Sequence, residues 1–461
     1  MPGRTVASPP PSPASTASTE ETVSPSQRFK RDTIGPEDTS EFTMDEVRRY
    51  GFIVIDNIIY NVTEWVAHGG HPGGEVLLSC LGRDVTSLFR GIHHPGIAKH
   101  YLPPLAIGRL KDPSIEDKAE ADFAALERHV RRLGLYEQKV SYYFGRIAIV
   151  MAFLLLALTS LCLGWTMLGA IALGVSWQQG AFIAHDACHR GCGSGDGRSP
   201  SRIGWFIGSI LFGISSSMWS EEHAAHHCFP RRPREDPQFN YLPTFLISRK
   251  ELPYSNKWEE LIAGVIVPVQ HFVLAPVAMT IGRFNFYIIS LIFSCKRALQ
   301  YYIKGQSIPL HCCPLADLCG MSLFWLWYGC LLYQLVPPSD RLLFLLLSNC
   351  TAGVLHIQLL VSHLAVDCYH SDEEPGWFRL QCHTSRNVET RAHWLWGGLE
   401  YQIEHHLFPR LPRHALPAVQ PFVMELCGKY GVPYRSEGEV KTLTLIFEDL
   451  RNLATVATEP V

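Results

Sequence analysis

The chain has 461 residues, with 40 Lys and Arg against 43 Asp and Glu and a formal net charge of -3. That length calls for more than one domain, and the near balance of charge argues against a nucleic-acid partner, which would require a basic face. The 14 cysteines include no CxxC pair, which excludes a secreted disulfide scaffold and leaves Cys312, Cys313, Cys188 and Cys192 as reduced or buried thiols.

Residues 1–40 are dominated by Pro, Ser and Thr and read as a disordered tail. The segment lacks the apolar core of a signal peptide, so the N-terminus is expected in the cytosol. There the sequon Asn61-Val62-Thr63 would never meet the glycosylation machinery. Residues 41–110 read as a small soluble α+β domain, in which Phe52–Ile55 and Ile58–Tyr60 alternate with turn residues. A charged, helical linker is expected over 111–145, a membrane domain over 146–435 and a C-terminal tail over 436–461.

From Ile147 to Ala184 there is neither a charge nor a histidine. A crossing takes about 20 residues, so two helices fit, folded back at Gly164-Trp165-Thr166. Leu318–Ser339 and Leu342–Ser362 form a second such pair, joined across Pro337–Arg341. The two tips hold a single Arg, whereas 110–146 and 228–260 are rich in Lys and Arg. The tips therefore face away from the cytosol. The fold class expected is an α-helical integral membrane protein with four transmembrane helices in two hairpins, beside the small α+β domain. Ile203–Trp219 is short, and Leu261–Ile281 is broken by Pro268, His271 and Pro276. Either one as a single crossing would split the histidine clusters between membrane faces, so both are read as interfacial helices.

Many of the 21 histidines fall in tight groups: His185 with His189, His223 with His226 and His227, and Gln402 with His405 and His406. Spacings of three and four residues share a helix face. In the four-crossing reading all three groups meet at the cytosolic mouth of the bundle. Imidazole suits iron, zinc or copper, and seven histidines exceed one tetrahedral site, so two metals are expected. Iron is favoured because a cytosolic site with open positions suits oxygen activation. Gln402 either binds a metal or hydrogen-bonds a ligand. Asp186, Glu222 and Glu404 are candidates to orient the imidazoles. His363 ends the fourth crossing, where it can complete a metal. His356, two turns deeper, reads as a packing residue, and His271, His311, His383, His393 and His414 as structural.

In the α+β domain, His71-Pro72-Gly73-Gly74 stands about 22 residues before His93-His94, with Trp65 ahead of it and Gly82–Thr86 and Phe89 between. A histidine in such a turn, facing a second one, can clamp a haem iron from both sides. Residues 41–110 resemble cytochrome b5. The resemblance implies a b-type haem with His71 as one axial ligand and His93 or His94 as the other, a carrier of single electrons.

Residues 140–435 resemble the membrane fatty-acid desaturases, and the segment GGLEYQIEHHLFPRLPR (397–413) carries the signature of their "front-end" branch, with Gln opening the third histidine box. The resemblance implies two Fe ions held by His185, His189, His223, His226, His227, Gln402, His405 and His406. His363 matches an extra histidine of related acyl desaturases. It implies O2 as co-substrate, a fatty acyl substrate carried on coenzyme A or a phospholipid, and membrane lipids around the bundle. It further implies electrons from NADH-cytochrome b5 reductase through the fused haem, and residence in the endoplasmic reticulum membrane with the active site cytosolic. The activity implied is insertion of a cis double bond between an existing one and the carboxyl end. The alternative is a sphingoid long-chain-base desaturase; an acyl hydroxylase, or a haem electron carrier with a defunct bundle, fits the filled boxes less well.

Overall fold

The computed structural model describes residues 40–67, 71, 76–93, 96–113, 117–189, 199–309 and 312–456. His94, Cys192 and His311, and the expected tail 1–39, lie outside them.

The N-terminal domain is built on four strands, β1 (Glu41–Phe42), β2 (Ile53–Ile55), β3 (Ile58–Tyr60) and β4 (Ala106–Leu110), in the order β1-β4-β3-β2. β2 and β3 form a tight hairpin whose turn residues Asp56 and Asn57 take φ of 54° and 61°, the left-handed pair that a two-residue turn between twisted strands demands. Thr43 and Glu46 form a capping box that starts helix Met44–Tyr50. Val47, Val54 and Ile59 pack beneath the sheet. On its other side Ile53, Ile55 and Tyr60 pack with Leu77, Val85 and the helices around the expected haem slot.

Helices Val140–Cys162, Thr166–Cys188, Pro314–Tyr333 and Pro338–Val361 are the four expected crossings. Thr166–Cys188 is the central one, packed along both Val140–Cys162 and Pro338–Val361. Gly174 permits its approach to the latter, because a Cβ there would lie 2.5 Å from Thr351. Polar side chains inside the bundle satisfy one another: Gln178 donates to Gln358 (2.8 Å) and Tyr287 to Asn349 (2.9 Å).

A fifth stretch, Lys257–Ile303, is also long and apolar enough to cross, so the count of four is not the only one the helices allow. Pro268 and Pro276 do not stop it, because a 3₁₀ turn at Val267–Val269 and a π turn at Ala278–Gly282 absorb them. Its polar side chains reach out along its length: Gln270 to Leu246 and Leu450, Arg283 to the carbonyl of Phe212, Arg297 to Glu221. The other region expected to lie at the interface bends by 114° between Arg202–Leu211 and Ser216–Cys228, with Gly213 at φ 75°.

The expected linker does more than connect. Its helix Lys118–Arg132 packs on Leu416–Tyr430, with Phe123 against Phe378 and Phe408. The expected tail carries regular structure: Ser436–Gly438 pairs in parallel with Asn387–Glu389, and helix Glu439–Val456 covers Gln270–Val277.

Candidate metal centre

Each histidine box sits at a helix end that has its own anchor. His185 occupies the last turn of Thr166–Cys188 and His189 caps its C-terminus. His223, His226 and His227 lie on Ser216–Cys228, whose N-terminus is held by Asp317. That buried carboxylate accepts from the hydroxyls of Ser209 (3.0 Å), Ser215 (2.8 Å) and Ser216 (3.1 Å) and from the N–H of Ser217 (3.2 Å). Gln402, His405 and His406 stand on the wholly buried helix Gln402–Leu407. Glu404 holds that helix in place rather than an imidazole, accepting from Asn387 (2.8 Å) and Tyr434 (2.6 Å). His363 follows the end of Pro338–Val361.

These residues gather into two adjoining groups. Ligating atoms of His185, His189, His223, His227 and His405 lie within 4.8 Å of one another, and so do those of His226, His363 and His406. Gln402 joins the second group, its amide 3.0 Å from His363 Nε2.

The hydrogen bonds set four of the eight tautomers. Nδ1 of His226 faces the Asp236 carboxylate (2.9 Å), Nδ1 of His363 the carbonyl of Thr384 (2.8 Å), and Nδ1 of His406 the amide oxygen of Gln381 (2.8 Å). Gln381 is itself oriented by donating to the His227 carbonyl (3.0 Å). Nδ1 of His223 faces Gln238 (3.2 Å). Acceptors at Nδ1 place the proton there and leave Nε2 as a bare lone pair turned inward. Yet His223 Nε2 stands 2.9 Å from His185 Nε2 and 3.3 Å from His227 Nε2, while the buried Nε2 atoms of His189, His405 and His406 and Oε1 of Gln402 have no partner. Converging, unsatisfied lone pairs in a buried site are costly unless a cation lies among them. Burial first, and neighbouring imidazoles second, hold His223, His227, His405 and His406 well below the ordinary histidine range, so they stay neutral, as ligation requires. A donor set of imidazole nitrogens and one amide oxygen fits a borderline transition metal, and its division into two groups fits a pair of them.

The acid that orients an imidazole most closely is Asp236, which is not among the three expected and carried no sequence signal beyond its charge. Asp186 is mainly engaged with Arg413 (2.6 Å) and Tyr143 (2.9 Å), its other oxygen 3.7 Å from His185 Nδ1. Glu222 is pushed up to about 7 by burial and by Glu221. Outside the two groups, His383 stacks with Tyr369, His393 faces Glu400, His414 accepts from the Lys139 N–H and His271 packs edge-on to Phe447.

An apolar cavity opens from the first group, lined by Ala181, His185, Cys188, Trp219, Phe286 and Leu355 among others. His356, read from sequence as packing, stacks on Phe286 with ring centroids 5.0 Å apart and also lines this cavity. The wall could have been found as stripes: Ala181, His185 and Cys188 share one helix face, and Leu355 and Leu359 share another that runs into His363.

In the N-terminal domain the rings of His71 and His93 face each other with centroids 5.9 Å apart, Trp65 edging His71 at 5.5 Å and Phe89 stacked on His93 at 4.4 Å. His93 Nδ1 bonds the carbonyl of Phe89 (3.1 Å), which leaves Nε2 as its unprotonated nitrogen. With metal–imidazole bonds of about 2 Å, the separation suits one iron between the rings.

The family profile described as fatty acid desaturase matches residues 163–438, and that of the cytochrome b5-like heme/steroid binding domain matches 37–111. The chain belongs to the fatty acid desaturase family. It is an oxidoreductase of that family with a fused b5 domain and with the apolar helices of a membrane protein. Delta(8)-fatty-acid desaturase 1 of Arabidopsis thaliana is 32% identical over 422 residues, covering 87% of this chain and 90% of the relative. Acyl-lipid (9-3)-desaturase of Borago officinalis is 28% identical over 432 residues, 89% of this chain and 93% of its own. Delta 8-(E)-sphingolipid desaturase of Emericella nidulans is 29% identical over 348 residues, 72% of this chain and 62% of its own.

Proposed function

We propose that this chain is a front-end acyl desaturase with a two-iron centre, fed by its own b5 haem. The observation that carries the reading is the junction of two imidazole groups with the mouth of an apolar cavity. Iron bound by these residues supplies, with O2, the oxidising power to remove two hydrogens from an alkyl chain that has neither acidity nor a leaving group. His185, His189, His223, His227 and His405 would hold one ion, and His226, His363, His406 and Gln402 the other. Gln402 would turn its oxygen to the metal. The cavity wall at Ala181, Leu355 and Leu359 would lay the chain beside His185 and keep water out. His71 and His93 would hold the haem, a reading the 5.9 Å between their rings supports; His94, the other candidate, lies outside the described residues.

In this reading NADH-cytochrome b5 reductase supplies the electrons, the protein resides in the endoplasmic reticulum membrane, and both cofactors lie on the cytosolic side. Lys257–Ile303 is then an interfacial helix, because it joins two elements, Ser216–Cys228 and Pro314–Tyr333, whose facing ends lie on the histidine side. The acyl carrier is coenzyme A or a phospholipid. The front-end reading draws on the relatives named as Delta(8)-fatty-acid and acyl-lipid desaturases; the relatives named as sphingolipid desaturases favour a second reading, a sphingoid-base substrate.

The test is expression in yeast fed a panel of unsaturated fatty acids, with double bonds located by mass spectrometry in acyl chains and sphingoid bases. A new bond on the carboxyl side of an existing one is expected. A new bond confined to sphingoid bases would replace this reading with the second, and hydroxylated chains would overturn both.

A further inference from the structure

The haem domain is seated on the membrane domain by residues that lead directly to the histidine boxes. Gly91, two positions before His93, lies flat against the indole of Trp377; a Cβ at Gly91 would stand 2.4 Å from that ring. The backbone N–H of Trp377 donates to Ser87 Oγ, on the helix that carries Gly91, at 3.2 Å. Trp377 is 1% exposed, and its indole N–H points the other way, toward the carbonyl of Leu407, the residue after His406 (3.4 Å). One helical turn along, Gln381 holds His406 Nδ1 and the His227 carbonyl. Gly376 sets this helix in place with φ 83°, and Glu120 accepts from the Phe378 N–H at 2.8 Å.

A second contact flanks the first. Cys228 and Phe229, which directly follow His227, are buried in the apolar core of the haem domain. Arg83 of that domain pairs with Glu235 and lies over the Phe229 ring at 5.5 Å. The pair is largely shielded from water and ties the domains at a fixed orientation.

We propose that Trp377 is the bridging residue of this docked interface, carrying the electron path from the haem held by His71 and His93 to the iron held by His406. Each transfer oxidises one ferrous haem to ferric and reduces one ferric ion of the pair to ferrous; Trp377 itself is neither oxidised nor reduced, and supplies packed, bonded matter for the electron to tunnel through. Gly91 is required because any side chain there would lift the haem domain off the indole. The inference rests on the ligand assignments proposed above.

The test uses the full-length protein in membranes, loaded with haem and iron. The haem is reduced by NADH and a b5 reductase, and its reoxidation after addition of oxygen and substrate is followed by absorbance. Trp377→Leu is expected to slow reoxidation by about tenfold or more, equivalent to about 1.4 kcal/mol in a barrier, with haem content, haem reduction and non-haem iron unchanged. Trp377→Phe should recover part of the rate. Arg83→Glu should slow it as well, and Arg83→Glu with Glu235→Arg should restore it, a check that does not depend on the Trp377 variants folding. Unchanged reoxidation in both Trp377→Leu and Arg83→Glu, with both cofactors present, would overturn the bridge alone. Wild-type protein without a bis-histidine haem spectrum, or without non-haem iron, would overturn the ligand assignments and the bridge with them.

Discussion

Gln402 and His363, 39 positions apart in the chain, meet at 3.0 Å inside the second imidazole group, with Oε1 of Gln402 left without a partner. His363 Nδ1 is committed to the Thr384 carbonyl, so its Nε2 lone pair faces the Gln402 amide nitrogen and only the amide oxygen is left over. Replacing Gln402 by Ala, or His363 by Ala, is expected to lower non-haem iron per chain and abolish product while the b-type haem spectrum persists. Gln402→His, which swaps an amide for a bulkier imidazole, should lower turnover. Metal analysis beside the haem spectrum checks all three.

Asp317 ties the start of Ser216–Cys228 to the second hairpin through three serine hydroxyls and one N–H. Asp317→Ala leaves buried donors unpaired, at a cost of roughly 1–3 kcal/mol. A lower melting temperature and weaker iron retention are expected, because His223, His226 and His227 ride on that helix.

The cavity beside His185 predicts a separation of substrate binding from metal binding. Gly208 lines it, and a Cβ there would meet only ordinary contacts at 3.7 Å. Gly208→Ala should fold and keep its iron, and Gly208→Leu should project into the cavity. Turnover of long acyl chains is expected to fall in the larger variant with iron content unchanged, measured by product analysis on purified protein.

Glu120 gives a pH signature away from the metals. Burial raises its carboxyl from 4.5 to about 7, partly opposed by the hydrogen bond from the Phe378 N–H. A raised acid binds its proton more tightly in the folded state, so its contribution is complete below about 4.5 and is lost as pH rises through about 7. Melting temperature should therefore decline between those values in wild type. In Glu120→Gln, which keeps the acceptor, the decline should be shallower.

What was legible from sequence was local. Histidines three and four apart declare a helix face, so the boxes and both hairpins could be read directly. The b5 turn at His71 was equally plain. What depended on distant packing was not: Asp236 orients His226 from ten residues away, and the cavity wall draws on at least four separate helices. The full length of Lys257–Ile303 was not legible because prolines ordinarily end helices, whereas here short 3₁₀ and π turns carry the chain past them. Trp377 carries no motif at all; only the approach of Gly91 reveals it.

The central claim is that the two imidazole groups hold two irons beside a separate haem. Iron, zinc and copper analysis of the purified full-length protein, with Mössbauer spectra of the non-haem fraction, tests it most directly. The account predicts two non-haem irons and one b-type haem per chain, with His406→Ala reducing the former and leaving the latter. Zinc in place of iron, or a single non-haem metal per chain in fully active protein, would contradict it.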